Sequence, residues 1–485
     1  MERMSKYSKG DTNFTEQVKT LLNKIYGRSP NKDSVLERAI AYYDIRDFTQ
    51  LKLDDLARNI AELKSKNEQK PIARIEKLER EQKEYHRELT FERHERFQHL
   101  HNICLEIIEL AEAEGFAETH RKSAQVLGTI QLLSPTEGKK VAGANEVNKP
   151  LYKGILTLRL LDQLCLKKLL ANSYIEQVIQ QHPSASFDDI VADNSALYQH
   201  FVNVVKIPVL MAAILQDIGN YHPDAQKIML GNDGKSDNFR TLKVEERKAL
   251  LQINYRETVK YLIDGIGAGM YLGNSKAERD EFNKIENAKL LFIKQLLKSS
   301  IQPKQGLGNL LKVPQIYTSI VLSTKDSYNY KLLPKVYQAL YQNAERGICR
   351  KDVVDLLYKI TGAFPQGYGI TYIPVDIDGN DRYEYGVVTQ LFPENPEQPF
   401  CRSATRNLTF IGHGHDVIIK KSCNLYYVET AKRFSRISKE RLNEILELLS
   451  SNYQERQSLD LLPRCWQPSE YFSTKNHQKL WNRAR

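Results

Sequence analysis

Apolar positions between residues 33 and 133 recur at helical spacing, and charged residues fill most of the positions between them. The recurring positions include Ile72, Ile75, Leu78, Tyr85 and Leu89. This pattern is typical of amphipathic helices, which pack along one stripe and expose a charged face to water. It predicts an exposed helical arm or bundle in the N-terminal part of the chain.

Helical patterning resumes at residue 151 and continues to about residue 361. The segment before it, 134–150, is rich in Gly, Pro, Asn and Lys and has no periodic apolar pattern, so we interpret it as a linker. After residue 361 the composition changes to short β-rich runs separated by Gly, Pro, Asn and Asp, which predict a small β unit. These runs are 368–374, 383–392, 408–411 and 417–427.

A helical pattern returns from residue 435 to about 450, and the sequence then has no regular pattern around Pro463 and Pro468. The fold class that follows is mainly α, with a helical N-terminal region, an all-helical core and a small β module near the C-terminus. The predicted division of the chain is 1–148, 149–362, 363–428 and 429–485.

Composition narrows the class of protein. The chain has 485 residues, of which 41% are apolar, and this is enough to bury a core. Its longest strongly apolar stretch, Ile207–Leu215, is far shorter than the roughly 20 residues of a membrane-spanning helix. The first 26 residues lack the apolar centre of a signal peptide, so we expect a cytoplasmic protein with no membrane contact.

Charge distribution and cysteine spacing argue against a nucleic-acid-binding protein and against a protein with redox-active cysteines. The net charge of +10 is spread along the chain and no recognition motif accompanies it, which disfavours binding to nucleic acid. The six cysteines are far apart and form no CxxC pair, as expected for reduced thiols. Cys401, His413, His415 and Cys423 could in principle bind zinc, but their spacing fits no zinc ribbon or finger.

One motif carries a resemblance to a known family. Residues 211–220 read Met-Ala-Ala-Ile-Leu-Gln-Asp-Ile-Gly-Asn, and Pro-Asp-Ala follows at 223–225. This resembles HD-superfamily phosphohydrolases, in which an apolar helix ends in His-Asp-Ile-Gly-Lys. The later segments that follow the order of HD-GYP proteins are 242–248, 334–340, 352–367 and 385–388. The resemblance covers roughly residues 195–425 and implies a bacterial protein with an HD-like helical core.

The chain departs from the family at the residues that carry its chemistry. HD-GYP enzymes hold metal ions with His and Asp side chains, and a bridging water attacks a phosphodiester. Gln216 stands where the defining His belongs, Asn220 replaces the phosphate-binding Lys, and Asn254 replaces a later His. Asp217 and Gly219 are retained. The resemblance therefore implies a vestigial motif rather than a catalytic one.

Two further ligand positions are also missing. The region expected to carry the His-His-Glu signature, 299–311, keeps only Gly306 and Gly308, and 317–320 contains no carboxylate. An alternative register aligns Asp-Gly-Ile-Gly at 264–267, but it places Val, Lys and Tyr where two His and a Glu belong. We expect no catalytic residue and no cofactor.

The leading hypothesis is a catalytically inactive HD-GYP-like signalling protein. It would act as a nucleotide sensor or a partner-binding platform, and the resemblance links it to cyclic di-GMP. The competing hypothesis is a divergent phosphodiesterase that binds Fe, Mn or Zn through Asp217, His222 and His200. A third is a structural helical adaptor. In either binding role, we expect the N-terminal helical region to contact a protein partner.

Overall fold

The protein is mainly helical and carries one small sheet near its C-terminus, so the predicted fold class is confirmed. The computed structural model describes residues 9–65, 72–180, 196–231, 233–303, 306–374, 382–433, 437–450 and 461–482. All structural statements below refer to these residues.

The helices follow one another through most of the chain. Those of the first half are α1 Asn13–Ile25, α2 Val35–Ser65, α3 Ile72–Ala111, α4 Phe116–Leu133, α5 Val141–Leu166, α6 Ser173–Gln180, α7 Ala196–Phe201, α8 Ile207–Leu215 and α9 Pro223–Leu230. Those of the second half are α10 Val244–Lys260, α11 Lys276–Ser299, α12 Asn309–Val321, α13 Val336–Glu345, α14 Lys351–Thr361, α15 Val428–Arg433, α16 Lys439–Leu449 and α17 Ser469–Phe472. Two π-helical turns, Val202–Lys206 and Tyr261–Ile266, precede α8 and follow α10.

The helices predicted between residues 33 and 133 are confirmed as α2, α3 and α4. The linker predicted at 134–150 is wrong from Val141 onward, because α5 begins there and includes Pro150. Most of α5 is buried, including Asn145 and Asn148, whose amide groups donate hydrogen bonds to oxygen atoms of Ser323 and Ser134. Tertiary contacts of these polar residues stabilise a helix that its composition does not indicate.

The chain divides into two compact units. The first unit comprises Met1–Leu22, Glu106–Phe201 and Ser299–Arg485, and the second comprises Asn23–Leu105 and Val202–Lys298. The boundaries expected at residues 148, 362 and 428 do not coincide with this division. The second unit is built from distant parts of the sequence, which composition along the chain does not reveal.

A buried ion pair lies in the first unit. Arg159 of α5 is fully buried, and its guanidinium contacts the carboxylates of Glu112 and Asp162. The hydroxyl of Tyr198 donates to Glu112, and a second guanidinium nitrogen donates to Ser123 at 2.9 Å. Because a buried charge is costly unless it is paired and hydrogen-bonded, these residues form one interdependent group.

The β module of the first unit is an antiparallel five-stranded sheet with the order β6-β3-β2-β1-β7. Its strands are β1 Gly369–Tyr372, β2 Glu384–Val388, β3 Phe400–Ser403, β6 Asp416–Ile418 and β7 Cys465–Trp466. A separate hairpin joins β4 Thr405–Arg406 to β5 Thr409–Phe410. Each predicted β run contains or overlaps a strand, whereas β3, β4 and β7 were not expected. Strand β7 extends the sheet beyond the predicted 363–428 module.

One helical stretch, Ala196–Tyr221, is long and apolar enough to cross a membrane by length and composition. Within its most apolar window, 89% is buried inside the protein. A buried core helix passes the same test of length and composition, and α8 is buried along its whole length.

Candidate functional site

The motif on which the resemblance rests, Gln216, Asp217, Gly219 and Asn220, lies on one turn of the second unit. The apolar helix α8 ends at Leu215, Gln216 follows as its C-terminal cap, and a 3₁₀ turn covers Ile218–Tyr221. Gln216 and Gly219 are buried, and Asp217 and Asn220 are half-buried. The four residues of the motif thus lie on a single turn that directly follows the fully buried helix α8.

Helix α10 packs directly on this turn. The amide nitrogen of Asn254 donates to the backbone carbonyl of Gln216 at 3.1 Å, and the hydroxyl of Thr258 accepts from the backbone N–H of Gly219 at 3.0 Å. A Cβ atom at Gly219 would lie 2.2 Å from the backbone carbonyl oxygen of Asn254. The close approach of two backbones therefore requires glycine at this position.

The two positions at which the resemblance expects metal-binding histidines are neighbours in the structure. They are occupied by Gln216 and Asn254, and the side-chain amide of Asn254 donates to the backbone carbonyl of Gln216. Residues 299–311 and 317–320 belong to the first unit, and so does His200 on α7. Of the three candidate metal ligands, Asp217 and His222 thus belong to the second unit, and His200 belongs to the first.

His222 has a structural contact on each ring nitrogen. Its Nδ1 accepts a hydrogen bond from the backbone N–H of Asp224 at 3.2 Å and caps the N-terminus of α9. Its Nε2 lies 3.7 Å from Oε2 of Glu257, and the imidazole and the ring of Tyr43 form a T-shaped pair with centroids 5.2 Å apart. Burial lowers the pKa of His222, so the imidazole is neutral at pH 7.

Glu257 is the centre of a charged cluster beside the turn. Its side chain is only 1% exposed, yet three cations contact it: Arg46 at 2.6 Å, Arg256 at 2.5 Å and Lys260 at 3.5 Å. Burial alone would raise the pKa of Glu257, but hydrogen bonds from Arg46 and Arg256 outweigh it and lower the pKa to about 2. Sequence analysis missed this cluster because Arg46 lies on α2, far from α10 in the sequence.

An open pocket of about 640 Å³ lies in the β module of the first unit. Its apolar lining comes from the end of β1 and from β6, including Tyr372, Ile373 and Val417. Its polar lining comes from the start of β2, the β4–β5 hairpin and the residues flanking β6. The lining is thus mixed apolar and polar, and the volume lies within the range of roughly 300–1,000 Å³ that is typical of small-molecule sites.

The cations of this pocket differ in how they are held. Arg382 donates to the buried carboxylate of Glu384 at 3.0 Å. Arg406 and Lys420 are exposed, and neither forms an ion pair with a carboxylate among the residues that the structure describes. The described lining therefore carries two cations that are available to an anionic ligand. The segment 375–381, which contains three aspartates, lies outside the described residues.

The four residues considered for zinc do not converge. Cys401 is fully buried in the sheet, and its thiol lies 3.7 Å from the carbonyl of Pro399. His415 places Nδ1 3.0 Å from the hydroxyl of Ser403 and lines the pocket together with Cys423. Across the described ranges, no group of three or more His, Cys, Asp or Glu residues is arranged to hold a metal ion.

Comparisons with protein-family models, with curated proteins and with solved structures find no match to this chain. The resemblance to HD-GYP proteins therefore remains a prediction from the motifs quoted above. The fold and the local geometry are the independent observations on which a function can be proposed.

Proposed function

We propose that this chain is a non-catalytic HD-GYP-type signalling protein of the bacterial cytoplasm that binds a nucleotide. The observation that carries the proposal is the packing of α10 on the vestigial turn. Asn254 and Thr258 direct their polar groups to the backbone of the turn at Gln216 and Gly219. A metal centre would instead need imidazoles and carboxylates that converge on one space.

Loss of metals does not prevent phosphate binding. Arginine side chains and backbone amides bind phosphate through charge-assisted hydrogen bonds without a metal ion. The resemblance links this chain to cyclic di-GMP, so a cyclic dinucleotide is the first ligand to test. The pocket of the β module supports this choice through its volume and its two exposed cations.

Isothermal titration calorimetry with cyclic di-GMP, with and without EDTA, tests the proposal. We expect saturable binding that EDTA leaves unchanged, with less than about a tenth of a metal ion per chain and no hydrolysis. Bound iron, manganese or zinc, together with phosphodiester hydrolysis that Asp217→Ala abolishes, would instead establish the divergent phosphohydrolase. Absence of any nucleotide binding would overturn the sensor proposal.

One surface favours a second role as a partner-binding platform. Ile45, Phe48 and Leu51 on α2 are 46%, 69% and 63% exposed and follow one another at intervals of three residues. Three large apolar side chains along one helix stripe are typical of a surface that a partner covers. If the chain is only a structural adaptor, it binds no nucleotide, and a partner is lost when Phe48 and Leu51 are changed to Ser.

A further inference from the structure

The β4–β5 hairpin shapes one wall of the pocket in the β module. Thr405 pairs with Phe410 and Arg406 pairs with Thr409, so only Asn407 and Leu408 form the turn. Both turn residues have positive φ, 48° and 59°, as a type I′ turn requires. Leucine rarely adopts this conformation, so the surrounding structure must hold it.

Glu384 is the residue that holds the turn. Its Oε1 accepts a hydrogen bond from the backbone N–H of Leu408 at 3.2 Å and another from Arg382 at 3.0 Å. The side chain of Leu408 is buried in the core of the β module. The turn is therefore anchored on two sides, and Arg406, which precedes it, is presented to the pocket by a fixed backbone.

A second exposed cation of the pocket comes from a separate segment of the chain. Lys420 follows β6 and lines the pocket beside Ile419, which is buried in the sheet core. Tyr372 and Val417 belong to the apolar part of the same pocket. A ligand in this space would meet cations from two separate elements and an apolar surface that includes an aromatic ring.

We propose that this pocket binds a phosphorylated ligand with a flat apolar group, of the nucleotide class, and that Arg406 and Lys420 bind its phosphate. His415, which also lines the pocket, supplies a further polar contact. An Arg side chain on a fixed turn suits phosphate because its donors are planar and lose little freedom on binding. The choice of a nucleotide rests on the proposed function, whereas the phosphate contacts rest on the pocket alone.

The test compares the full-length protein with the double variant Arg406→Glu/Lys420→Glu. Both are titrated calorimetrically with cyclic di-GMP, GTP and inorganic pyrophosphate. Lys331→Glu/Lys335→Glu is the matched control, because it makes the same change in net charge at two exposed lysines outside the pocket lining. Thermal unfolding of each variant confirms that it is folded.

We expect the pocket variant to weaken binding of a nucleotide at least about tenfold while the control variant binds as the unmodified protein does. Nucleotide binding that the pocket variant leaves unchanged would overturn this site and leave the proposed function intact. Pyrophosphate binding that depends on Arg406 and Lys420, without nucleotide binding, would support the site and overturn the function. If none of the three probes binds, both proposals fail.

Discussion

At the scale of single residues, Gly219 has a packing role. Gly219 lies against the backbone of α10, and its N–H donates to Thr258. Sequence analysis identified Gly219 through the resemblance, but its contact with Asn254 depends on how α10 crosses the turn. The same structural requirement applies whether or not the chain binds a ligand.

Gly219→Ala is predicted to lower the free energy of unfolding by about 1–3 kcal/mol. The new methyl group would overlap the backbone oxygen of Asn254, which cannot move aside as a flexible side chain could. Urea denaturation measures the effect. Gly143→Ala, in the first turn of α5 with no atom within 4 Å of the added Cβ, is the control. Equal midpoints for the two variants would contradict the packing assignment.

His120 of α4 gives a prediction about pH. Its ring stacks on Phe392 at 4.0 Å, and burial together with the charge of Arg159 lowers its pKa from 6.5 to about 4. The unfolded chain therefore binds a proton on this residue that the folded chain does not, in the range between these two values. The free energy of unfolding is therefore unaffected by His120 above pH 6.5, and protonation of His120 in the unfolded chain lowers it as the pH falls towards 4.

His120→Phe is predicted to make the free energy of unfolding less dependent on pH between about 7 and 5. The phenyl ring preserves the stacking on Phe392 but takes up no proton. Urea midpoints at several pH values in this range, compared with those of the unmodified protein and of His413→Phe on the surface, measure the difference. If His120→Phe keeps the full pH slope, the imidazole is not the group responsible.

At the scale of secondary-structure elements, the C-terminal segment completes the β module. Strand β7 pairs with β1, and Trp466 stacks on Tyr385 with ring centroids 4.6 Å apart. The indole Nε1–H donates to the carbonyl of Gly386 at 2.9 Å. Strand β7 has only two residues and follows α16, so it is far from the other strands in the sequence. The sequence pattern therefore did not indicate it.

Trp466→Ala is predicted to destabilise the protein by about 3–5 kcal/mol because it leaves a cavity in the core of the β module. Trp466→Phe, which retains an aromatic ring and loses the hydrogen bond, is predicted to cost less. Circular dichroism during thermal unfolding of the two variants gives the comparison. Similar melting temperatures for Trp466→Ala and the unmodified protein would show that β7 contributes little to the sheet.

Helix α5 illustrates where reading elements from composition fails. Gly, Pro and Asn between 134 and 150 indicated a linker, but the helix begins at Val141. Asn145 and Asn148 of this helix are buried and donate hydrogen bonds to Ser323 and Ser134, which no local pattern displays. By contrast, the helical pattern predicted to about residue 361 ends where α14 ends, at Thr361, and Val353, Leu357 and Ile360 form its buried stripe.

At the scale of the whole molecule, the boundaries of the two units differ from the boundaries that changes of composition along the sequence suggested. Each unit joins segments that are separated along the chain by more than eighty residues. The candidate ligands Asp217 and His222 belong to the second unit, whereas the β-module pocket lies entirely in the first. The turn at Gln216–Asn220 and the pocket therefore belong to different units of the chain.

The sequence by itself determined the mainly helical class and the position of the β module. These features depend on local periodicity and on residue identity at single positions, which can be read along the chain. The tertiary structure alone decided the contact of Arg46 with Glu257, the burial of α5 and the pocket that contains Arg406 and Lys420. Each of these joins residues distant in sequence, and such pairings follow from packing rather than from any local pattern.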